Sequence, residues 1–409
     1  MVKRPLVIIL SLAASFGGVL AGSSAAQAAQ RLESFALPSP AGNIDLTKVK
    51  LNKGATELRA TALLPDGYDE DPGRSWPVLY LLHGGEDNSE TWTRPGNGDI
   101  QNTAAGFPGI VVMPEGGSGS FVDWWQGGAR SGPRWTSYYL NEVLPAVEAR
   151  YRVKAGRQNH AIAGLSMGAY GAMFLGGQLP GYFGTIVSMS GLLDTQKPDS
   201  LVSTQLATGQ SYDTQMGPIL GPYASVHNPV KTVSNVKDSR VYLAVGNGIA
   251  DPTVKGDLAA WVIGGVLEAR LLQANLQYVA TARLAGASPT LKLRGGVHDW
   301  PYWRRELPKA IEWGLFRTPG VASSAEARDW RYRTMEPAGN AWGLGYRFAE
   351  PTTRIAIFER DGQKLTVSGE GTVTITPGAA DADASGNGTR TDCRFTATLP
   401  FKRTLPAGC

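Results

Sequence analysis

The stretch HAIAGLSMGAYGAMFL, residues 160–175, decides the reading of this chain. His160-Ala161-Ile162-Ala163 is a short apolar strand, and Gly164-Leu165-Ser166-Met167-Gly168 spells G-x-S-x-G. The residues from Ala169 onward suit a short buried helix, which puts the motif in strand–turn–helix context. A serine nucleophile needs such a turn: the hydroxyl must project above a sheet, and side chains two positions away on either side would clash with neighbouring elements. The start of the following helix offers unpaired N–H groups and a positive dipole end where an oxyanion forms.

A serine on such a turn requires a base, and the chain order expected for this arrangement is Ser, acid, His. Two histidines lie downstream. His227 precedes the strand that should carry the acid and reads as a surface or capping residue. His298 lies in Gly295-Gly296-Val297-His298-Asp299-Trp300, a Gly-rich loop after the strand 290–294, where a base can reach the serine. Two acids compete. Asp251 follows the strand 241–245, and Glu268 sits in a helix 298 − 268 = 30 residues before His298. On the residues alone Asp251 is preferred, because Glu268 could pair with Arg270 on an exposed face. The oxyanion donors are predicted to be the amides of Met167 and of Gly85, the latter in Leu81-Leu82-His83-Gly84-Gly85 after an early strand, with His83 a structural loop residue. Trp124, Trp125, Trp300 and Trp303 flank the site in sequence; Trp124, Trp125 and Trp300 are the candidate substrate wall, with core packing the competing use of these rings.

The 409 residues carry 39 Lys and Arg against 35 Asp and Glu, without a basic block long enough to track phosphates, so nucleic acid is not an expected partner. Two cysteines and four histidines build neither a disulfide scaffold nor a Cys-rich zinc site, and no metal or cofactor is implied. Residues 1–28 read as a signal peptide: Lys3 and Arg4, an apolar run broken by glycines, then Ala26-Gln27-Ala28. No later segment is apolar over the length of a membrane span, so a secreted or cell-envelope protein without a transmembrane anchor after cleavage is expected. Export would also allow a Cys393–Cys409 disulfide.

From residue 31 to 316, short apolar strands alternate with helix-compatible stretches, including 135–151 and 258–276, as in an α/β domain whose mostly parallel sheet is covered on both faces. After that come strands without helices, at 353–358, 364–368, 372–376 and 394–399, with period-two alternation and a Gly/Ala/Asp/Ser-rich loop at 377–387. The expected organisation is a signal peptide over 1–28, a catalytic α/β domain over 29–317, a linker over 318–330 and a small antiparallel β module over 331–409.

These motifs together resemble the Putative esterase family of α/β hydrolases, which includes esterase D and the secreted mycolyltransferases of mycolate-bearing actinobacteria. The likeness covers most of residues 37–315. It is carried by Leu37-Pro38-Ser39-Pro40, Leu81-Leu82-His83-Gly84-Gly85, Val112-Met113-Pro114-Glu115-Gly116-Gly117, Ser120-Phe121-Val122-Asp123-Trp124-Trp125, the serine motif and His298-Asp299-Trp300-Pro301-Tyr302-Trp303. The resemblance implies an α/β-hydrolase fold. In the mycolyltransferase branch the acid is a Glu about 30 residues before the His, which moves the preference to Glu268 over Asp251. His83 and Glu86 stand where that branch usually has the Asp and Arg implicated in holding trehalose, and its Cys pair is absent between Trp125 and Trp135. The implied activity is that of a serine carboxylic-ester hydrolase or acyltransferase on a small or lipid ester. Acyl transfer to trehalose or another envelope sugar is the first alternative, and a non-catalytic envelope-binding protein on a hydrolase scaffold the second.

Overall fold

The computed structural model describes residues 30–129, 131–254, 258–321, 327–377, 393–406 and 409, without the side chains of 259 and 260. The leader expected over 1–28 and nearly all of the loop expected over 377–387 lie outside these residues.

Eight strands form the main sheet: β1 (Arg31–Ala36), β2 (Arg59–Leu64), β3 (Val78–Leu82), β4 (Ile110–Pro114), β5 (His160–Leu165), β6 (Thr185–Met189), β7 (Arg240–Gly246) and β8 (Thr290–Arg294). Their order is β1-β2-β4-β3-β5-β6-β7-β8. β3 to β8 run parallel, and β1 and β2 join antiparallel at one edge. The continuous apolar runs follow from position: every residue of β3, β4, β5 and β6 is buried, because helices cover both faces. β5 lies at the centre, so what leaves its carboxyl end opens onto the middle of the sheet edge.

The helix expected over 135–151 is interrupted. Helical turns at Trp135–Tyr138 and Leu144–Arg150 flank a π turn at Tyr139–Val143. Pro145 has no N–H to extend the α ladder backward, which accounts for the break. The helix begun at Leu258 runs on to Leu284, past the expected end.

The C-terminal strands are β9 (Asp329–Thr334), β10 (Ala338–Ala341), β11 (Leu344–Phe348), β12 (Ala356–Asp361), β13 (Lys364–Ser368), β14 (Thr372–Pro377), β15 (Phe395–Thr398) and β16 (Phe401–Thr404). They make two antiparallel four-stranded sheets, β10-β11-β14-β15 and β16-β13-β12-β9. Alternation puts Tyr332, Tyr346, Phe358, Val367 and Ile375 into one apolar core. Ala327 and Trp330, expected in the linker, are buried in that core. Cys393 and Cys409 are disulfide-bonded, with Cα atoms 6.1 Å apart.

This module rests on the larger body. Met335 packs with Tyr223 and Val226. Asn235 exchanges two hydrogen bonds with the Arg333 backbone, at 3.0 and 2.9 Å, and the Tyr332 hydroxyl donates to the Gln178 carbonyl at 3.2 Å.

Candidate active site

Ser166 leaves β5 with φ 51° and ψ −118°, a backbone state that ordinary side chains rarely occupy. The turn is held from both sides: the Ser166 amide donates to Met189 O at 2.9 Å, and the helix Met167–Gln178 begins directly after it. Both motif glycines are required by contact. A methyl on Gly164 would lie 2.2 Å from Gly168 O, and one on Gly168 would lie 2.4 Å from His83 O. That second approach seats the helix start against the Leu81–Gly85 loop.

His298 is brought to the serine by the start of another helix, Trp300–Gly314, whose N-cap Asp299 accepts the Trp300 amide at 2.7 Å. His298 Nε2 and Ser166 Oγ are 2.7 Å apart. On the far side of the ring, Nδ1 lies 2.8 Å from Glu268 Oε2. Glu268 reaches the imidazole because Gly264 lets its helix press onto the His298 loop, whose His298 amide donates to Gly264 O at 3.1 Å, and Gly265 lets it press onto Gly248. Two glycines inside a helix cost about 1 kcal/mol each, so their placement at these contacts is informative.

The Glu268 carboxylate is 1% exposed and accepts two further hydrogen bonds, from Ser190 Oγ at 2.6 Å and from the Gly246 amide at 2.6 Å. Burial alone would push this carboxyl up; the bonds from His298, Ser190 and Gly246 outweigh it and hold the group below the usual carboxylate range. Ser190 in turn accepts from Trp303 Nε1 at 3.0 Å, and the Trp303 ring meets the His298 ring edge to face at 4.8 Å. Sequence reasoning passed over Ser190 and Gly246. The available signal was position alone: both stand at the carboxyl ends of the neighbouring strands β6 and β7.

Asp251 takes no part in this chain. Its carboxylate pairs with Arg305 at 3.0 Å and accepts from Thr253, and these partners draw it down to about 2. The other three histidines are buried elsewhere. His227, expected near the surface, stacks on Phe174 and lies 3.3 Å from Glu336 of the module. His160 stacks on Tyr182, and burial pulls it down to about 4. His83 is 2.7 Å from Gly84 O through Nδ1 and accepts the Gly116 amide through Nε2. Beside it Glu115 is buried and accepts the amides of Gly117, Gly116 and Ser89; burial opposes its charge, but these bonds and His83 keep it below the usual range.

Ser166 and His298 open onto a cavity of about 410 Å³. Gly84, Gly85 and Met167 border it, and its walls include Tyr170, Leu206, Met216, Leu267, Leu271 and Trp300. Gly85 cannot carry a side chain: a methyl there would sit 1.9 Å from Ala207 O on the helix Asp199–Thr208. Of the three candidate wall residues, Trp300 lines the cavity, whereas Trp124 and Trp125 do not. Trp124 borders a separate cavity and donates from Nε1 to Gly119 O at 3.2 Å, and Trp125 donates its amide to Gln215 O and packs on Tyr223 at 4.9 Å, so both rings are held by contacts outside the serine cavity. Among the described residues, no group of three or more His, Cys, Asp or Glu side chains is placed to hold a metal ion.

A family model described as Putative esterase matches residues 54–313. The chain belongs to this family. Within the Putative esterase family, it is 35% identical over 196 residues to Esterase Rv1288 of Mycobacterium tuberculosis (strain ATCC 25618 / H37Rv), a match covering 45% of this chain. It spans 41% of the length of that relative. A longer match, 27% identical over 325 residues, joins it to the diacylglycerol acyltransferase/mycolyltransferase Ag85A of Mycobacterium leprae, covering 73% of this chain and 89% of that one. Among solved structures, Mycobacterium tuberculosis MPT51 superposes with a TM-score of 0.53 at 22% identity, covering 70% of this chain and 99% of that one. A ferulic acid esterase superposes with a TM-score of 0.52 at 23% identity, covering 70% and 98%. These superpositions establish the α/β-hydrolase fold, and the family supports esterase or acyltransferase chemistry.

Proposed function

We propose that the protein is a secreted serine carboxylic-ester hydrolase or acyltransferase working through an acyl-enzyme. The observation that carries this reading is the hydrogen-bonded chain from Ser166 through His298 to Glu268, open to a largely apolar cavity. In the first half-reaction, Ser166 Oγ attacks the ester carbonyl while His298 Nε2 takes its proton. Glu268 holds the ring and stabilises the imidazolium, and the amides of Gly85 and Met167 receive the oxyanion. Collapse expels the alcohol with the proton from His298. A water or an acceptor hydroxyl then repeats the sequence in reverse and frees the acid or the new ester.

Between the two outcomes, hydrolysis is the better supported. His83 is fixed between Gly84 O and the Gly116 amide, so its ring is spent on loop structure and is not free to hold a sugar. Transfer to trehalose or a related envelope sugar remains the second reading, favoured by the match to Ag85A over most of that protein's length. Export rests on the leader pattern of residues 1–28.

A fluorophosphonate probe is expected to label Ser166 and not Ser166→Ala, and the Ala variant to lose on the order of 10⁴-fold in turnover while keeping its fold. An unlabelled wild type would return the chain to the non-catalytic class. Product analysis with one acyl donor in water, then with trehalose or glycerol added, separates hydrolase from transferase.

A further inference from the structure

Exposed apolar side chains stand on the two helices that wall the serine cavity, Asp199–Thr208 and Leu258–Leu284. On the helix Leu258–Leu284, the outward positions Leu258, Val262, Ile263 and Val266 are between 63% and 76% exposed. Further on, the outward face is mixed, with Arg270, Gln273 and Gln277 beside the exposed Leu276. This helix adjoins the site: Gly264 O accepts the His298 amide, and Leu267 and Leu271 line the cavity. Across the opening, the helix Asp199–Thr208 exposes Val202 at 61% and Leu206 at 66%. The two helices are tied together by the Arg270–Asp199 pair at 2.6 Å.

Single exposed aliphatics need no explanation, whereas several on two helices that wall one opening do. We propose that they form a rim that docks the protein onto the surface of an aggregated or bilayer-resident lipid ester and presents the cavity mouth to it. The inference rests on the esterase reading and names the physical state of its substrate. The occupant follows from continuity: Leu206 is both exposed and part of the cavity lining, and Leu267 and Leu271 line the cavity from the facing helix. An acyl chain leaving a lipid surface therefore meets apolar side chains from both helices on its way to Ser166. A second copy of the chain seated on the same rim would instead close the opening. Interfacial binding of this kind grows with the apolar area inserted.

The test uses the full chain and the triple variant Val262→Ser/Ile263→Ser/Val266→Ser, with the pair Val202→Ser/Leu206→Ser as an independent change on the opposite rim. Binding is read by co-sedimentation with phosphatidylcholine vesicles containing dioleoylglycerol. Activity is read on a dissolved short-chain ester and on tributyrin carried from below to above its solubility limit. Wild type is expected to sediment with the vesicles and to rise steeply in rate once tributyrin forms droplets. The triple variant should lose about tenfold or more in vesicle binding, lose the rise, and keep its rate on the dissolved ester within about twofold; the rim pair should also bind vesicles less. Equal vesicle binding by wild type and the triple variant overturns the proposal. So does a wild-type dimer that the triple substitution dissolves. Failure of the wild type on the dissolved ester would sink the esterase reading instead, while vesicle binding would still report on the rim.

Discussion

The choice between two carboxylates shows what a single residue's surroundings decide. Asp251 occupies a strand-end position suited to an acid, yet it is committed to Arg305 and Thr253 near the surface, whereas Glu268 is buried against His298, Ser190 and Gly246. An imidazole that becomes charged in the transition state gains most from a desolvated carboxylate held in place beforehand. Glu268→Gln is therefore expected to lower turnover roughly 10²- to 10⁴-fold, and Asp251→Asn to change it by no more than about threefold, in steady-state kinetics on one short ester with folding checked by circular dichroism. The reverse pattern would reassign the acid. In the sequence, Ser166 was legible from its motif and His298 from its order and Gly-rich loop. Glu268 was legible only through the family resemblance, because what sets it against the imidazole is the close approach that Gly264 permits between a helix and a distant loop. That contact has no local signature.

At the scale of elements, the site is assembled where loops meet with no room to spare. The Leu81–Gly85 loop touches the start of the helix Met167–Gln178 through Gly168 and the helix Asp199–Thr208 through Gly85. Adding a methyl at Gly85 drives it into the Ala207 carbonyl, so either the loop or that helix must shift, and an amide aimed at an oxyanion moves with it. Gly85→Ala should lose about 10²-fold in kcat/KM with a modest change in stability. Gly96→Ala, where nothing lies within 4 Å, serves as the matched control and should be near wild type. Near-normal turnover of Gly85→Ala would remove its amide from the mechanism. The strands flanking this junction were readable because burial on both sheet faces leaves unbroken apolar runs. Strand β10, Ala-Gly-Asn-Ala, was not readable: it has no alternation, and only its pairing with β11 makes it a strand. Trp124 and Trp125 lie outside the serine cavity for a similar reason, since their places in the Asp-Trp segment do not tell that Gly119 and Tyr223 hold their rings.

For the whole molecule, the question is what the C-terminal module does to the body it rests on. Ser166, Glu268, His298 and both proposed oxyanion donors precede Phe316. A chain ending there should hydrolyse a dissolved ester at close to the full rate but melt earlier, because Tyr223 and Val226 lose Met335 and Asn235 loses both bonds to Arg333. A folded but inactive truncate would make the module part of the site. The seam between the two bodies also titrates. Asp123 is buried beside Glu336 of the module, with Arg134 Nε at 3.6 Å and Ser137 donating through both its amide and its hydroxyl. Burial first, and then the Glu336 charge, push the Asp123 carboxyl up from 3.8 to about 6. An acid whose value is higher in the folded state binds its proton more tightly there. Its contribution to stability is therefore complete below the unfolded value and is lost as pH rises through the folded one, a change on the order of 3 kcal/mol. Other carboxylates move in the opposite direction, so the informative quantity is a difference. Comparing urea midpoints of wild type and Asp123→Asn, the wild type should be relatively more stable at pH of about 4 and should lose that advantage by about 7.5. A difference that stays constant, or grows with pH, would mean that Asp123 is ionised in the fold and that Arg134 neutralises it.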